Sequence, residues 1–187
     1  MLILVFGPTG AGKSTLIRKL VNLMGLTYVI PQMTRTLRPG EQDREPVRKA
    51  LFAERQAAGQ YIWVNSIFGV RYGTPRRPTI LALRDSVPSH VLDFPLENIE
   101  KVENLSGHKA GIVIMPPSKE ALISRLVKAN RKVRIKAALE QYGFYIATLS
   151  AGSPTLIGDR IIVNNDIDLA TKIACRMITD LARQNND

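Results

Sequence analysis

The tightest constraint on this chain is the run VFGPTGAGKST, residues 5–15, in which glycines at 7, 10 and 12 precede Lys13 and Ser14. Its fixed positions fit G-x-x-x-x-G-K-[ST]. An apolar strand, Leu2 to Phe6, runs into the glycines, and a helix-forming stretch beginning near Lys13 (STLIRKLVNLM) runs out of them. The glycines let backbone N–H groups turn inward around phosphate oxygens, and the helix N-terminus adds its positive dipole end. Gly7, Thr9, Gly10, Ala11, Gly12, Lys13, Ser14 and Thr15 are therefore the expected ATP-binding residues, with Lys13 reaching the β- and γ-phosphates and Ser14 ligating Mg²⁺. Strand, loop and helix in register point to a nucleoside triphosphate.

The remaining chain must build a domain around that loop. Its 187 residues, 45% of them hydrophobic, suffice for one α/β domain with a small insert. The single cysteine, Cys175, lies in an apolar helical context, so a disulfide framework or a thiolate metal site is excluded. Because the first residues already form a strand and no apolar run reaches membrane-spanning length, a soluble cytoplasmic protein is expected. Net charge is +10, from 26 Lys+Arg against 16 Asp+Glu. Such an excess suits nucleic acid or small polyanions. Its distribution bears on the choice: Arg125, Lys128, Arg131, Lys132, Arg134 and Lys136 fall in an acid-free stretch from Ala121 to Leu139. That stretch is either a solvated basic face or an arginine lid over transferring phosphates.

Strands and helices alternate along the chain. A short strand is expected over Tyr28–Gln32, then the basic turn TRTLRPGE, a charged helix around Val47–Ala58 stopped by Gly59, and the strand YIWV. NSIFGVRYGTPRRP, with two glycines and two prolines, reads as a loop or hairpin shaped around a ligand. Further strands are expected near His90–Phe94, from Ala110 and from Arg160, with helices across Lys119–Gln141 and from Asp168 onward. The pattern predicts an α/β fold with a mainly parallel sheet flanked by helices, and ligands at the carboxyl ends of its strands.

Five segments together resemble the guanylate kinase family: GPTGAGKST (Gly7–Thr15), TRTLRPGE (Thr34–Glu41), RYGT (Arg71–Thr74), IMPPSKEALISRL (Ile114–Leu126) and RIIVNND (Arg160–Asp166). They occur in the family's order and near its spacing across most of the chain. The resemblance implies a P-loop kinase fold in one domain, with a core of residues 1–30 and 89–187, an acceptor-binding insert over about 31–88 and a lid over about 125–141. It also implies roles. Arg35 and Arg38 match the arginines that clamp the acceptor phosphate, where two planar forks give bidentate bonds that lysines would not. Tyr72 and Thr74 match further acceptor contacts, Arg131 and Arg134 match the lid arginines that reach the transferring phosphoryl, and Asn164 matches an asparagine at the adenine end of the donor site.

The departures lie on the acceptor side. Where the family reads guanine with a glutamate, this chain has Trp63, expected here as an acceptor-binding wall that stacks rather than hydrogen-bonds and so relaxes base choice. A strand shifted by one or two residues would instead bury Trp63 and leave the base to Asn65 or Ser66. Pro31 replaces a serine, Pro46-Val47 replaces an Asp-Tyr pair, and the acid after the third family strand falls on Asp93 or is lost. The lid is several residues short. Three functions fit: a nucleoside monophosphate kinase acting on GMP or dGMP; a kinase for another phosphorylated acceptor such as ribose 1,5-bisphosphate; and a non-catalytic module that binds phosphopeptides. The intact Gly12-Lys13-Ser14 argues against the last. The expected partner is a small phosphorylated acceptor, not nucleic acid or a membrane.

Overall fold

A computed structural model describes residues 1–184 apart from Pro39, Gln42 and Phe68. The strand β1 (Leu2–Phe6) is buried at every residue because it lies at the centre of a five-stranded sheet. Its neighbours are β7 (His90–Asp93) and β8 (Lys109–Met115), flanked by β2 (Thr27–Tyr28) and β9 (Ile161–Val163), and every pairing is parallel. A strand covered on both faces must be apolar throughout rather than alternating. Ile3 and Val5 enter the core under α1 (Lys13–Met24) and α7 (Ile167–Gln184), whereas Leu2, Leu4 and Phe6 enter the opposite core with Leu92, Phe94 and Tyr145. Each buried side chain of this size contributes about 1.5–3 kcal/mol.

The expected strand over Tyr28–Gln32 is two short ones. Tyr28 ends β2 in the parallel sheet, and Gln32 begins β3 (Gln32–Met33) in a second, four-stranded sheet of order β4-β3-β6-β5. This sheet joins β4 (Glu45–Pro46), β5 (Tyr61–Ile67) and β6 (Val70–Pro75), and β6 runs antiparallel to both β3 and β5. Of the ligand-shaped loop or hairpin expected over NSIFGVRYGTPRRP, the described residues give the antiparallel β5–β6 pair and the start of a helix at Arg76, and Phe68 lies outside them. Helix α2 (Lys49–Ala57) lays Phe52 on Tyr61, ring centroids 4.6 Å apart, to make a small separate core with Val47.

The sequence reading missed α3 (Arg76–Arg84), because Pro75 and Pro78 signal a loop. Both prolines sit where a helix tolerates them, at the N-cap and in the first turn, whose N–H groups have no intrahelical acceptor. A 3₁₀ turn at Leu96–Asn98 and the short α4 (Ile99–Glu103) lead into β8. Ser118 then caps α5 (Lys119–Lys128) by accepting from the Ala121 N–H at 3.2 Å, and a 3₁₀ turn, Lys132–Arg134, enters α6 (Ile135–Ala151). No helix among the described residues is long and apolar enough to cross a membrane.

Candidate active site

The carboxyl ends of β1 and β7 open into a cavity of about 820 Å³ between the two sheets and α6. The phosphate loop forms one wall. Gly7, Thr9, Gly10, Gly12, Lys13, Ser14 and Thr15 all line it. A Cβ on Gly7 would meet the Ile114 carbonyl oxygen at 2.3 Å, and one on Gly12 the Asn164 Nδ2 at 2.5 Å, so these glycines are imposed by close backbone approach. The loop is held from outside. Tyr145 of α6 accepts from the Gly7 N–H at 2.8 Å, and Gln141 accepts from the Thr9 N–H at 2.9 Å. Burial drives the Tyr145 hydroxyl well above its ordinary pKa, which keeps it a neutral hydrogen-bonding group.

Two expected donor-site residues stand behind the loop. Asn164, assigned by resemblance to the adenine end, is buried and does not line the cavity; its Nδ2 donates to the Ala11 carbonyl at 2.8 Å. Ala11 turns its methyl into the core and offers that carbonyl backwards. Arg125, read as part of the basic stretch and the first residue of the expected lid, donates to the same carbonyl at 3.3 Å and to the Asn164 carbonyl at 2.6 Å. These residues fix the loop's rear surface. Lys13 lies over the loop, its Nζ donating to Gly7 O at 2.6 Å and to Pro8 O at 3.3 Å.

The opposite wall carries Arg35, Arg38, Tyr72 and Thr74. Arg35 is gripped by Glu41 through two bonds, Nη1 to Oε2 at 2.7 Å and Nη2 to Oε1 at 2.6 Å, and Glu41 also accepts from the Arg38 N–H at 3.0 Å. The Arg35 contact is the main reason the Glu41 carboxyl drops to about 2, and the same contact raises Arg35. Arg131 and Arg134 line the cavity too, whereas Lys128, Lys132 and Lys136 point to solvent. The basic stretch thus turns arginines to the cavity and three lysines to solvent. Burial, then repulsion by Arg38, lowers the Arg134 pKa.

Trp63 is the main correction. It is 6% exposed, does not line the cavity, and packs edge-on against Phe94 with centroids 4.8 Å apart. The β5–β6 pairing shifts register between Tyr61 and Trp63, and beyond that irregularity Asn65 faces the cavity, opposite Tyr72 on β6. An indole gains more from the apolar cluster beneath the sheet than from a wet wall. Asn65 is anchored there by Asn98, whose Nδ2 donates to its Oδ1 at 3.0 Å. Sequence reading also passed over Arg44. It donates from Nη2 to Asp93 at 2.6 Å and from Nη1 to the Tyr28 hydroxyl at 2.5 Å, and no motif marks it.

A family model described as guanylate kinase matches residues 1–181. The chain belongs to the guanylate kinase family. A guanylate kinase of Rhodopseudomonas palustris is 33% identical over 180 residues, covering 91% of this chain and 77% of that protein. One of Nitrosococcus oceani is 30% identical over 173 residues, covering 90% and 83%. The crystal structure of guanylate kinase from Anaplasma phagocytophilum superposes with a TM-score of 0.68 at 25% identity, over 97% of this chain and 86% of that one. With family and loop together, the protein is an ATP-dependent nucleotide kinase of P-loop fold, and the sugar-bisphosphate and phosphopeptide readings are not favoured.

Proposed function

We propose that the protein transfers the γ-phosphoryl group of ATP to GMP or dGMP. The observation that carries this reading is the cavity itself: a phosphate loop on one wall, an arginine-tyrosine clamp on the other, and Arg131 and Arg134 on the same cavity. Residues 31–88 serve as the acceptor-binding insert, residues 125–141 as the lid, and the rest as the core. Lys13 leaves the loop carbonyls for the β- and γ-phosphates. Arg35, Arg38 and Tyr72 hold the acceptor phosphate, and the lid arginines meet charge as it develops on the transferring group. No general base is required, because alignment and charge neutralisation supply most of the acceleration.

Among the described residues no cluster of three or more His, Cys, Asp or Glu could cage a metal. That suits Mg²⁺, which keeps its waters and binds through nucleotide oxygens and one or two protein groups. Ser14, at the first turn of α1 and facing the cavity, is the residue that would hold it. The metal neutralises β/γ charge when bound. Asn65 and Thr74 are the neutral polar groups we assign to the base. The cytoplasm, where nucleotide pools and reduced thiols prevail, is the compartment that suits this chemistry and a lone free cysteine. A coupled ADP-release assay across GMP, dGMP, AMP, CMP, UMP and ribose 1,5-bisphosphate tests the reading. Turnover is expected to be highest with GMP and dGMP, and background rates with both would overturn it.

A further inference from the structure

Beside Lys13 the cavity holds an ion pair, Arg44–Asp93, that the phosphoryl-transfer scheme does not use. Arg44 directly precedes β4 of the four-stranded sheet, yet its guanidinium is anchored on the parallel sheet: Nη2 on Asp93 Oδ2 at 2.6 Å and Nη1 on Tyr28. The other carboxylate oxygen, Asp93 Oδ1, lies 4.0 Å from Lys13 Nζ. All three charged side chains are mostly shielded, at 15% exposure for Arg44, 14% for Asp93 and 17% for Lys13. Asp93 therefore stands between two cations, one in full contact and the other at the edge of contact.

We propose that Arg44 is a positioning residue for ATP binding: by occupying the Asp93 carboxylate, it keeps that carboxylate from capturing Lys13 and from repelling the incoming phosphates. The argument is one of competition. Lys13 can serve the β- and γ-phosphates only if leaving its resting partners is easy, and carbonyls are weaker partners than an ionised carboxylate. A shielded carboxylate without a counter-ion draws the nearest cation strongly, and Lys13 is the nearest one remaining. It would also face a polyanion across the same low-dielectric cavity. The Tyr28 hydroxyl and the Asp43 carbonyl, each 2.5 Å from Arg44 Nη1, hold the guanidinium in place while it does this. Burial pushes the Tyr28 hydroxyl far above its ordinary pKa, so it stays a neutral partner.

The test is ATP affinity by calorimetry in EDTA, which separates lysine availability from metal binding. Arg44→Gln is expected to weaken ATP at least about tenfold, the scale of one charge-assisted contact. Asp93→Asn is expected to bind ATP as tightly as the parent or more tightly, and the Arg44→Gln/Asp93→Asn double variant to return within threefold of the parent. A purely structural Arg44–Asp93 pair would show its loss and its rescue in thermal stability, with the ATP affinity of folded Arg44→Gln unchanged. Parent-like affinity in Arg44→Gln, a double variant as weak as Arg44→Gln, or weakened binding in Asp93→Asn would each overturn the proposal. Thermal unfolding checks that each variant is folded. If Arg44→Gln is not, the Asp93→Asn and double-variant affinities decide alone.

Discussion

The two walls of the cavity are organised by different physics. The donor wall is backbone: glycines in close approach, a helix N-terminus, and neutral side chains such as Tyr145, Gln141 and Asn164 fixing individual amides and carbonyls from behind. The acceptor wall is side-chain charge on a small sheet whose own core is little more than Val47, Phe52 and Tyr61. Its arginines rest on internal partners, Arg35 on Glu41 and Arg44 on Asp93, and under the proposed function Arg35 would reapportion its bonds when a phosphate arrives. One wall is preorganised by geometry, the other by exchangeable ion pairs.

If the donor wall owes its function to a preset frame, removing the lysine that lies over the loop should have the largest effect of any single change. Lys13→Ala is expected to lower kcat by at least about 10²–10³-fold, the usual scale for a deleted group that stabilises transition-state charge. Unfolding should barely change, because Lys13 faces the cavity and not the core. Steady-state kinetics beside a urea melt reads both, and residual activity near the parent level would dissolve the distinction between the walls.

Trp63 tests where the acceptor wall ends and the core begins. Trp63→Ala should cost about 3–5 kcal/mol of stability, the range for truncating a buried large aromatic, while leaving the GMP/AMP preference of the folded fraction unchanged. A shifted preference with unchanged stability would put the indole back on the base.

That residue also shows how much of this molecule was legible in advance. The phosphate loop, the central strands and the long helices were readable because glycine spacing and apolar periodicity are local properties. That Arg35 and Arg38 would line the cavity was expected only through resemblance. What was not legible depends on register and on distance. A bulge between Tyr61 and Trp63 decides which side chains of β5 see the cavity, and no local pattern announces it. Likewise, Arg44 and Asp93 meet across 49 positions of sequence, and Asn164 reaches Ala11 across 153. Helix α3 was hidden by two prolines whose positions are harmless only once the helix start is known.

On the acceptor wall itself, the fork geometry of arginine should matter more than its charge. Arg38→Lys is expected to raise KM for the acceptor roughly tenfold or more and to leave ATP affinity intact, since a lysine keeps the charge but loses the planar pair of donors. Titration of each ligand separately decides it. Equal losses for both would mean that Arg38 supports the whole cavity and not one wall.

The smallest expected effect concerns acid. Glu41 is depressed from 4.5 to about 2, first by its bonds to Arg35, so the folded state favours its ionised form more than the unfolded state does. A depressed carboxyl contributes stability that is complete above about 4.5 and fades as pH falls toward about 2. The side chain is 15% exposed, so solvent screening reduces the contribution, and Glu41→Gln supplies the reference that isolates it. The urea midpoint of the parent should fall further between pH 5 and pH 3 than that of Glu41→Gln, while the pH response of ATP affinity stays the same in both. A parent and Glu41→Gln with parallel acid responses would mean that the acceptor wall does not rest on the Arg35–Glu41 pair, and the contrast between the walls would fail at that point.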